Sequence, residues 1–153
     1  MNEIKIAENK NVTFNNVISR VLEGIDEETI QKAAKMFESY LKKENLKPYG
    51  PLIVRETTKL MGREASHDSE LLIQLREAPQ EVANPYSLTP KIRLENALMA
   101  RYVGPIDKMQ MAYSKMHVYA FEHDITLGSV FYTVLNHDEE GKNFTADIFN
   151  EVI

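Results

Sequence analysis

The 153-residue sequence contains no cysteine and no tryptophan, and only six glycines. Without cysteine, the chain has no disulfide framework, no thiolate zinc site and no cysteine nucleophile. The lysine-containing phosphate loop and the dinucleotide motif need glycines at fixed spacing, and neither motif is present. No serine lies in a Gly-x-Ser-x-Gly setting, so the commonest nucleophilic arrangements lack their central residue.

Long apolar runs and clusters of basic residues are missing as well. No apolar stretch approaches the roughly 20 residues that cross a bilayer, and residues 1–6 are too polar for a signal peptide. We therefore expect a cytoplasmic protein with no membrane partner. Asp and Glu total 23 against 18 Lys and Arg, which gives a net charge of -5. Because affinity for phosphate backbones needs clustered Lys and Arg, we expect no direct nucleic-acid binding.

The histidines offer no convincing metal site. His117 and His123 are six residues apart on a predicted helix, which places them on different faces. His137 precedes the acidic residues 138–140, and a solvated turn explains these better than a bound cation does. We therefore predict no metal and no cofactor.

A proline-rich segment from Ala78 to Lys91 divides the chain into two parts of similar length. Pro79, Pro85 and Pro90 lie within it, and proline lacks an amide donor and has a fixed φ, so we expect no regular element to run through. We predict one domain over residues 1–153, built from pseudo-repeats of about 1–78 and 90–153 that this segment joins.

Each part follows the order strand, helix, strand, strand. The first part predicts strands over 3–6 and 11–21, a helix over 27–45 capped by Asp26, and strands over 52–59 and 70–76 around a loop at Gly62. The second part predicts a strand over 92–103, a helix over 108–123 capped by Asp107, and strands over 129–135 and 147–153 around a loop at 138–142. The predicted fold is α+β, with duplicated strand-helix-strand-strand units and an antiparallel sheet that carries both helices on one face.

Two acids occupy matching positions in these repeats. Glu70 leads into an apolar strand in the first part, and Asp147 does so in the second. A carboxylate beside apolar strand residues must be hydrated, paired or used, because burying it alone is costly. Two interpretations stand about even: a pseudo-twofold axis brings both acids to one central groove, or both acids open edge strands and face water.

Tyrosines near these acids would suit a flat or cationic ligand. The chain has seven tyrosines, and their rings stack on flat molecules and attract cations. Core packing is the alternative, and it is the better explanation for Tyr113 and Met116, which lie on the apolar stripe of the second helix.

The order of these motifs resembles the GyrI-like effector-binding family. Tyr102-Val103-Gly104-Pro105 precedes an amphipathic helix, Gly128 precedes a strand, and Asp147-Ile148-Phe149 lies in the last strand. The family includes gyrase inhibitors and the ligand-sensing domains of multidrug-responsive transcription regulators. The resemblance covers essentially the whole chain, and the duplicated layout matches the family's fold.

The resemblance implies a groove between the two halves that binds small aromatic or cationic molecules. A carboxylate near the start of the last strand lies at the bottom of that groove, and this position falls on Asp147, where the family usually has Glu. Ile106 stands where the family often has an aromatic residue. We predict no catalytic residue and a ligand site formed by these residues: Tyr102, Asp147, Glu70, Tyr49 and Phe131.

The resemblance implies a stand-alone module, because the effector-binding part takes up all 153 residues and leaves none for a DNA-binding domain. Binding of a hydrophobic or cationic small molecule is the predicted function. One alternative is a hydrolase of electrophilic small molecules, in which Asp147 or Glu70 orients or deprotonates water. Another is a gyrase-inhibitor-like interaction module whose partner is a protein such as DNA gyrase.

Overall fold

The computed structural model describes residues 3–22, 27–61, 64–137 and 144–153. Within these ranges the chain forms six strands and two α-helices, and the strand pairs of each unit are antiparallel, so the α+β prediction is confirmed. The elements are β1 (Glu3–Leu22), α1 (Glu27–Lys43), β2 (Ile53–Met61), β3 (Glu64–Gln74), β4 (Tyr86–Gly104), a 3-10 turn (Ile106–Lys108), α2 (Gln110–Glu122), β5 (Val130–His137) and β6 (Phe144–Glu151).

The chain divides into two compact units. One unit comprises Thr13–Ile92, and the other comprises Met1–Val12 together with Arg93–Ile153. The long strands β1 and β4 each supply residues to both units. We call these the α1 unit and the α2 unit, after the helix that each contains.

In the α1 unit, the strand order is β1-β3-β2. The helix α1 buries Ala33, Phe37 and Leu41, which follow one another at spacings of four residues and therefore share a face. Tyr86 packs at the end of this face, with its ring centroid 5.0 Å from that of Phe37 and 4.1 Å from that of Tyr40. The apolar face of α1, this aromatic group and the buried apolar residues of β1, β2 and β3 form the core of the unit.

In the α2 unit, the strand order is β4-β6-β5. The buried residues of α2 again follow at spacings of four: Ala112, Met116 and Ala120. Ala112 and Met116 pack in one cluster with buried residues of β4 and β6: Leu98, Ala100, Tyr102, Phe144, Ala146 and Ile148. The α2 side of this sheet is therefore the core of the unit.

The two units share their local geometry as well as their order of elements. In each, the last strand lies between the other two. Each helix is followed by a residue in the left-handed conformation, Asn45 at φ 56° and Asp124 at φ 53°. In each case the next amide donates back to the helix, over 2.8 Å, as in a Schellman cap. The predicted duplication is confirmed.

Several boundaries differ from the predictions. β4 begins at Tyr86 and passes through Pro90, so the strand that was predicted to begin at Ile92 starts earlier, because proline is tolerated near the start of a strand. The first two predicted strands form one strand, β1. Asp107 does not cap α2, since it lies in the 3-10 turn and the cap position is Met109. Asp26, Gly62 and the loop at 138–142 lie outside the described residues.

Candidate functional site

Both candidate acids lie in the middle of a central strand. Glu70 is on β3, between β1 and β2, and Asp147 is on β6, between β4 and β5. Because β3 begins at Glu64 and β6 at Phe144, neither acid starts its strand. The interpretation that both acids open edge strands is wrong. The predicted correspondence of Glu70 with Asp147 agrees with their equivalent places in the two sheets.

Asp147 forms a two-pronged ion pair with Arg101 on the neighbouring strand β4. The Nε of Arg101 donates to one carboxylate oxygen over 2.8 Å, and Nη2 donates to the other over 3.0 Å. The carboxylate is 16% exposed and the arginine side chain 53% exposed. The hydrogen bonds and the charge of Asp147 raise the pKa of the Arg101 guanidinium above its usual value, so the guanidinium stays charged across the physiological range.

Glu70 is paired as well, with Arg55 on the neighbouring strand β2. The Nη2 of Arg55 lies 2.6 Å from the carboxylate, and the two side chains are 22% and 24% exposed. Charge-assisted hydrogen bonds of this length are among the stronger polar contacts in proteins. Neither candidate acid is therefore a free carboxylate.

The two arginines come from strands that are not equivalent in the repeat. Asp147 lies opposite Arg101 on the first strand of its unit and opposite Val134 on the second. Glu70 lies opposite Val21 on the first strand and opposite Arg55 on the second. Duplication alone thus places the acids in matching positions but does not explain their partners. Neither arginine is indicated by a sequence pattern, although each lies directly beside a buried residue in its strand.

Asp147 lies on the sheet face that points away from α2. Residues opposite one another in the register share a face and neighbours along a strand alternate, so Asp147, Arg101 and Val134 lie together. The next row on this face contains Met99, Phe149 and Tyr132; Phe149 and Tyr132 are buried. The ion pair therefore borders apolar and aromatic side chains.

Tyr102 lies on the opposite face of the same sheet, in the core beneath α2. Its side chain is fully buried, and its hydroxyl donates to the Pro105 carbonyl, which closes the turn before the helix. Burial of the ring, and secondarily the charge of Asp107, raise the pKa of Tyr102 above its usual value of 10.0. The structure thus does not bring Tyr102 together with Asp147.

Alkaline pH is expected to reveal this buried hydroxyl. A raised pKa in the folded state means that Tyr102 stabilises the fold fully below the unfolded pKa of about 10 and loses that contribution as the pH rises through its folded pKa. Urea unfolding of the protein and of Tyr102→Phe between pH 8 and 11 measures this. The stability difference between them is expected to shrink as the pH rises, and a constant difference contradicts the assignment.

Phe131 also lies on the α2 side. Its ring centroid is 5.4 Å from that of Tyr113 and 5.7 Å from that of His117, and both partners belong to α2. Tyr49 belongs to the other unit, in the connection after α1, where its backbone amide bonds the Gln74 carbonyl and its side chain is 64% exposed. The five predicted site residues are therefore distributed over both sheet faces and both units.

The surface of the α1 unit also has a depression. This depression of about 450 Å³ lies between the end of β1 and α1, where Arg20, Lys32 and Met36 are among the residues lining it.

Among the described residues, no group of three or more histidine or carboxylate side chains is placed to hold a metal ion, and no helix is long and apolar enough to cross a membrane.

No protein-family model matches the sequence, and no curated protein matches it either. Solved structures with a similar fold do exist. The C-terminal domain of EcmrR aligns with a TM-score of 0.71 and 14% identity, over 100% of this chain and 98% of that one. In the EcmrR–DNA complex the TM-score is 0.69, and the match spans 57% of the EcmrR chain.

Two other similar structures have named ligands or activities. SAV2435 bound to tetraphenylphosphonium aligns with a TM-score of 0.53 and 14% identity, over 99% of this chain and 94% of that one. A hydrolase from Listeria innocua aligns with a TM-score of 0.55 and 12% identity, over 99% and 92%. At these identities the similarity shows the fold alone. The fold that the GyrI-like resemblance implies is therefore confirmed.

Proposed function

We propose that this chain binds a small hydrophobic or cationic molecule, as the ligand-sensing domains of the GyrI-like family do. The observation that carries the proposal is its fold, which it shares over nearly its whole length with SAV2435, a protein whose structure contains the hydrophobic cation tetraphenylphosphonium. The similarity to the C-terminal domain of EcmrR supports the same class of module.

The surroundings of Asp147 suit such a ligand. A partly exposed carboxylate supplies negative charge, and the neighbouring, partly exposed Met99 and Val134 on the same face supply apolar contact. Ligand sites in proteins combine apolar walls with a few polar groups in this way. Glu70 offers a similar, partly exposed carboxylate in the α1 unit.

The three aromatic residues have different parts in this proposal. Tyr49 is exposed and offers its ring to a ligand in the α1 unit. Tyr102 and Phe131 lie on the α2 side of the sheet, opposite the face that carries Asp147. Tyr102 fixes the turn before α2, and Phe131 packs against α2. Their replacement is therefore expected to affect stability first and binding through it.

Calorimetric titration with tetraphenylphosphonium tests the proposal. Saturable binding is expected, and Asp147→Asn or Glu70→Gln is expected to weaken it about five- to tenfold, depending on which unit holds the ligand, because one carboxylate charge is lost without a change of shape. Exposed Glu95 provides a matched control, Glu95→Gln, which should leave the affinity unchanged. Absence of binding, or equal binding by all three variants, would contradict the proposal.

Hydrolysis of an electrophilic small molecule is the second candidate, and the similarity to the Listeria innocua hydrolase favours it. It ranks below binding because Asp147 is held in an ion pair with Arg101, and a general base that takes a proton from water would have to give up that ion pair. Turnover of a strained-ring epoxide that Asp147→Asn or Glu70→Gln abolishes would reverse this ranking.

A further inference from the structure

The ion pair between Arg101 and Asp147 bears directly on which ligands this face selects. Both carboxylate oxygens are engaged by one guanidinium, and the arginine is the more exposed partner. A ligand that approaches Asp147 therefore meets the arginine as well. Within the described part of the chain, the third guanidinium nitrogen of Arg101 has no hydrogen-bond partner.

We propose that Arg101 determines the charge selectivity of the ligand site at Asp147. The inference rests on the proposed function. The arginine offsets the carboxylate, so the intact site discriminates only weakly between cations and anions and selects its ligands by shape and apolar surface. Loss of the arginine makes the site cation-selective, and loss of the carboxylate makes it anion-selective.

The magnitudes support this assignment. A single unit charge beside this partly exposed site changes the affinity for a monovalent ion about five- to tenfold, in opposite directions for a cation and an anion, whereas an adjacent pair of opposite charges largely cancels. The guanidinium of Arg101 keeps its charge at physiological pH, since Asp147 raises its pKa above the usual value.

A pair of probes with the same shape and opposite charge tests the proposal. Tetraphenylphosphonium is a cation and tetraphenylborate is an anion of nearly equal size, so the ratio of their dissociation constants reports charge selectivity alone. Because the two affinities change in opposite directions, Arg101→Met is expected to shift this ratio about 25- to 100-fold toward the cation, and Asp147→Asn by a similar factor toward the anion. The double variant Arg101→Met/Asp147→Asn is expected to return to the ratio of the unaltered protein.

Three further variants isolate the effect. Arg93→Met removes one positive charge from the same strand at an exposed pair and should leave the ratio unchanged, which excludes an effect of net charge. Arg101→Lys keeps the charge and should stay near the original ratio. Arg55→Met tests the other unit, and a shift there instead of at Arg101 overturns the assignment to Arg101.

The possible results distinguish the selectivity role of Arg101 from small-molecule binding itself. If both probes bind and Arg101→Met leaves their ratio unchanged, the selectivity role is wrong while small-molecule binding stands. If neither probe binds to the protein or to any folded variant, the proposed binding of hydrophobic ions is itself wrong, and the role of Arg101 falls with it. Thermal unfolding of each variant verifies folding, which we expect because Arg101 is half exposed.

Discussion

Replacing Phe37 with alanine is expected to lower the free energy of unfolding by about 3–5 kcal/mol, as for other fully buried phenylalanines. The side chain is fully buried on α1 and meets the Tyr86 ring edge-on, 5.0 Å between centroids. Its removal loses apolar burial and leaves a cavity beside an aromatic group that cannot collapse easily. Urea denaturation followed by circular dichroism measures the loss.

Phe121 provides the matched control for this substitution. It is also a helical phenylalanine, but it is 86% exposed on α2, so Phe121→Ala should change stability by less than about 0.5 kcal/mol. Similar losses at the two positions would show that α1 does not pack on its strands as described.

Replacing Asn150 with alanine is expected to cost about 2–3 kcal/mol. Asn150 is a fully buried polar residue on β6. Its side-chain oxygen accepts from the Gly128 amide over 2.7 Å, and its side-chain nitrogen donates to the Gly128 carbonyl over 3.0 Å. Alanine would leave the partly buried Gly128 carbonyl without this donor and would open a small cavity.

The glycine at the other end of this contact is also constrained by space. A Cβ at position 128 would lie 3.0 Å from the Glu151 carbonyl oxygen, so the connection after α2 depends on close approach of two backbones. Asn136→Ala, at a partly exposed position on β5, is the control and should cost less than about 0.5 kcal/mol. Equal melting temperatures for Asn150→Ala and the unaltered protein would contradict the structural role of Asn150.

Most elements were predictable because their signals are local. The spacing of Ala33, Phe37 and Leu41 indicates a helix from neighbouring turns alone, and α1 is indeed helical over Glu27–Lys43. The boundaries were less predictable. Pro90 suggested a break, yet β4 continues through it, because the effect of a missing amide donor depends on whether a neighbouring strand needs that amide.

The candidate site was only partly predictable. Glu70 and Asp147 stood out because each is an acid beside apolar residues at matching points of the repeat, and the structure places them on equivalent central strands. Whether Tyr102 and Phe131 lie near Asp147 depends on which sheet face each side chain occupies. A shift of one residue along a strand reverses that face, and sequence patterns do not locate strand residues to within one residue.

The sequence by itself determined the order of the elements, the duplication and the matching acids, since all three follow from periodicity and from turn residues close together in the chain. The tertiary structure alone decided which charges neutralise those acids. Arg101 and Asp147 are 46 residues apart, and they meet because β6 lies beside β4 in the sheet. In the other unit the partner comes from the second strand instead of the first. Strand order is a property of the folded sheet, and it places residues side by side that no local pattern connects.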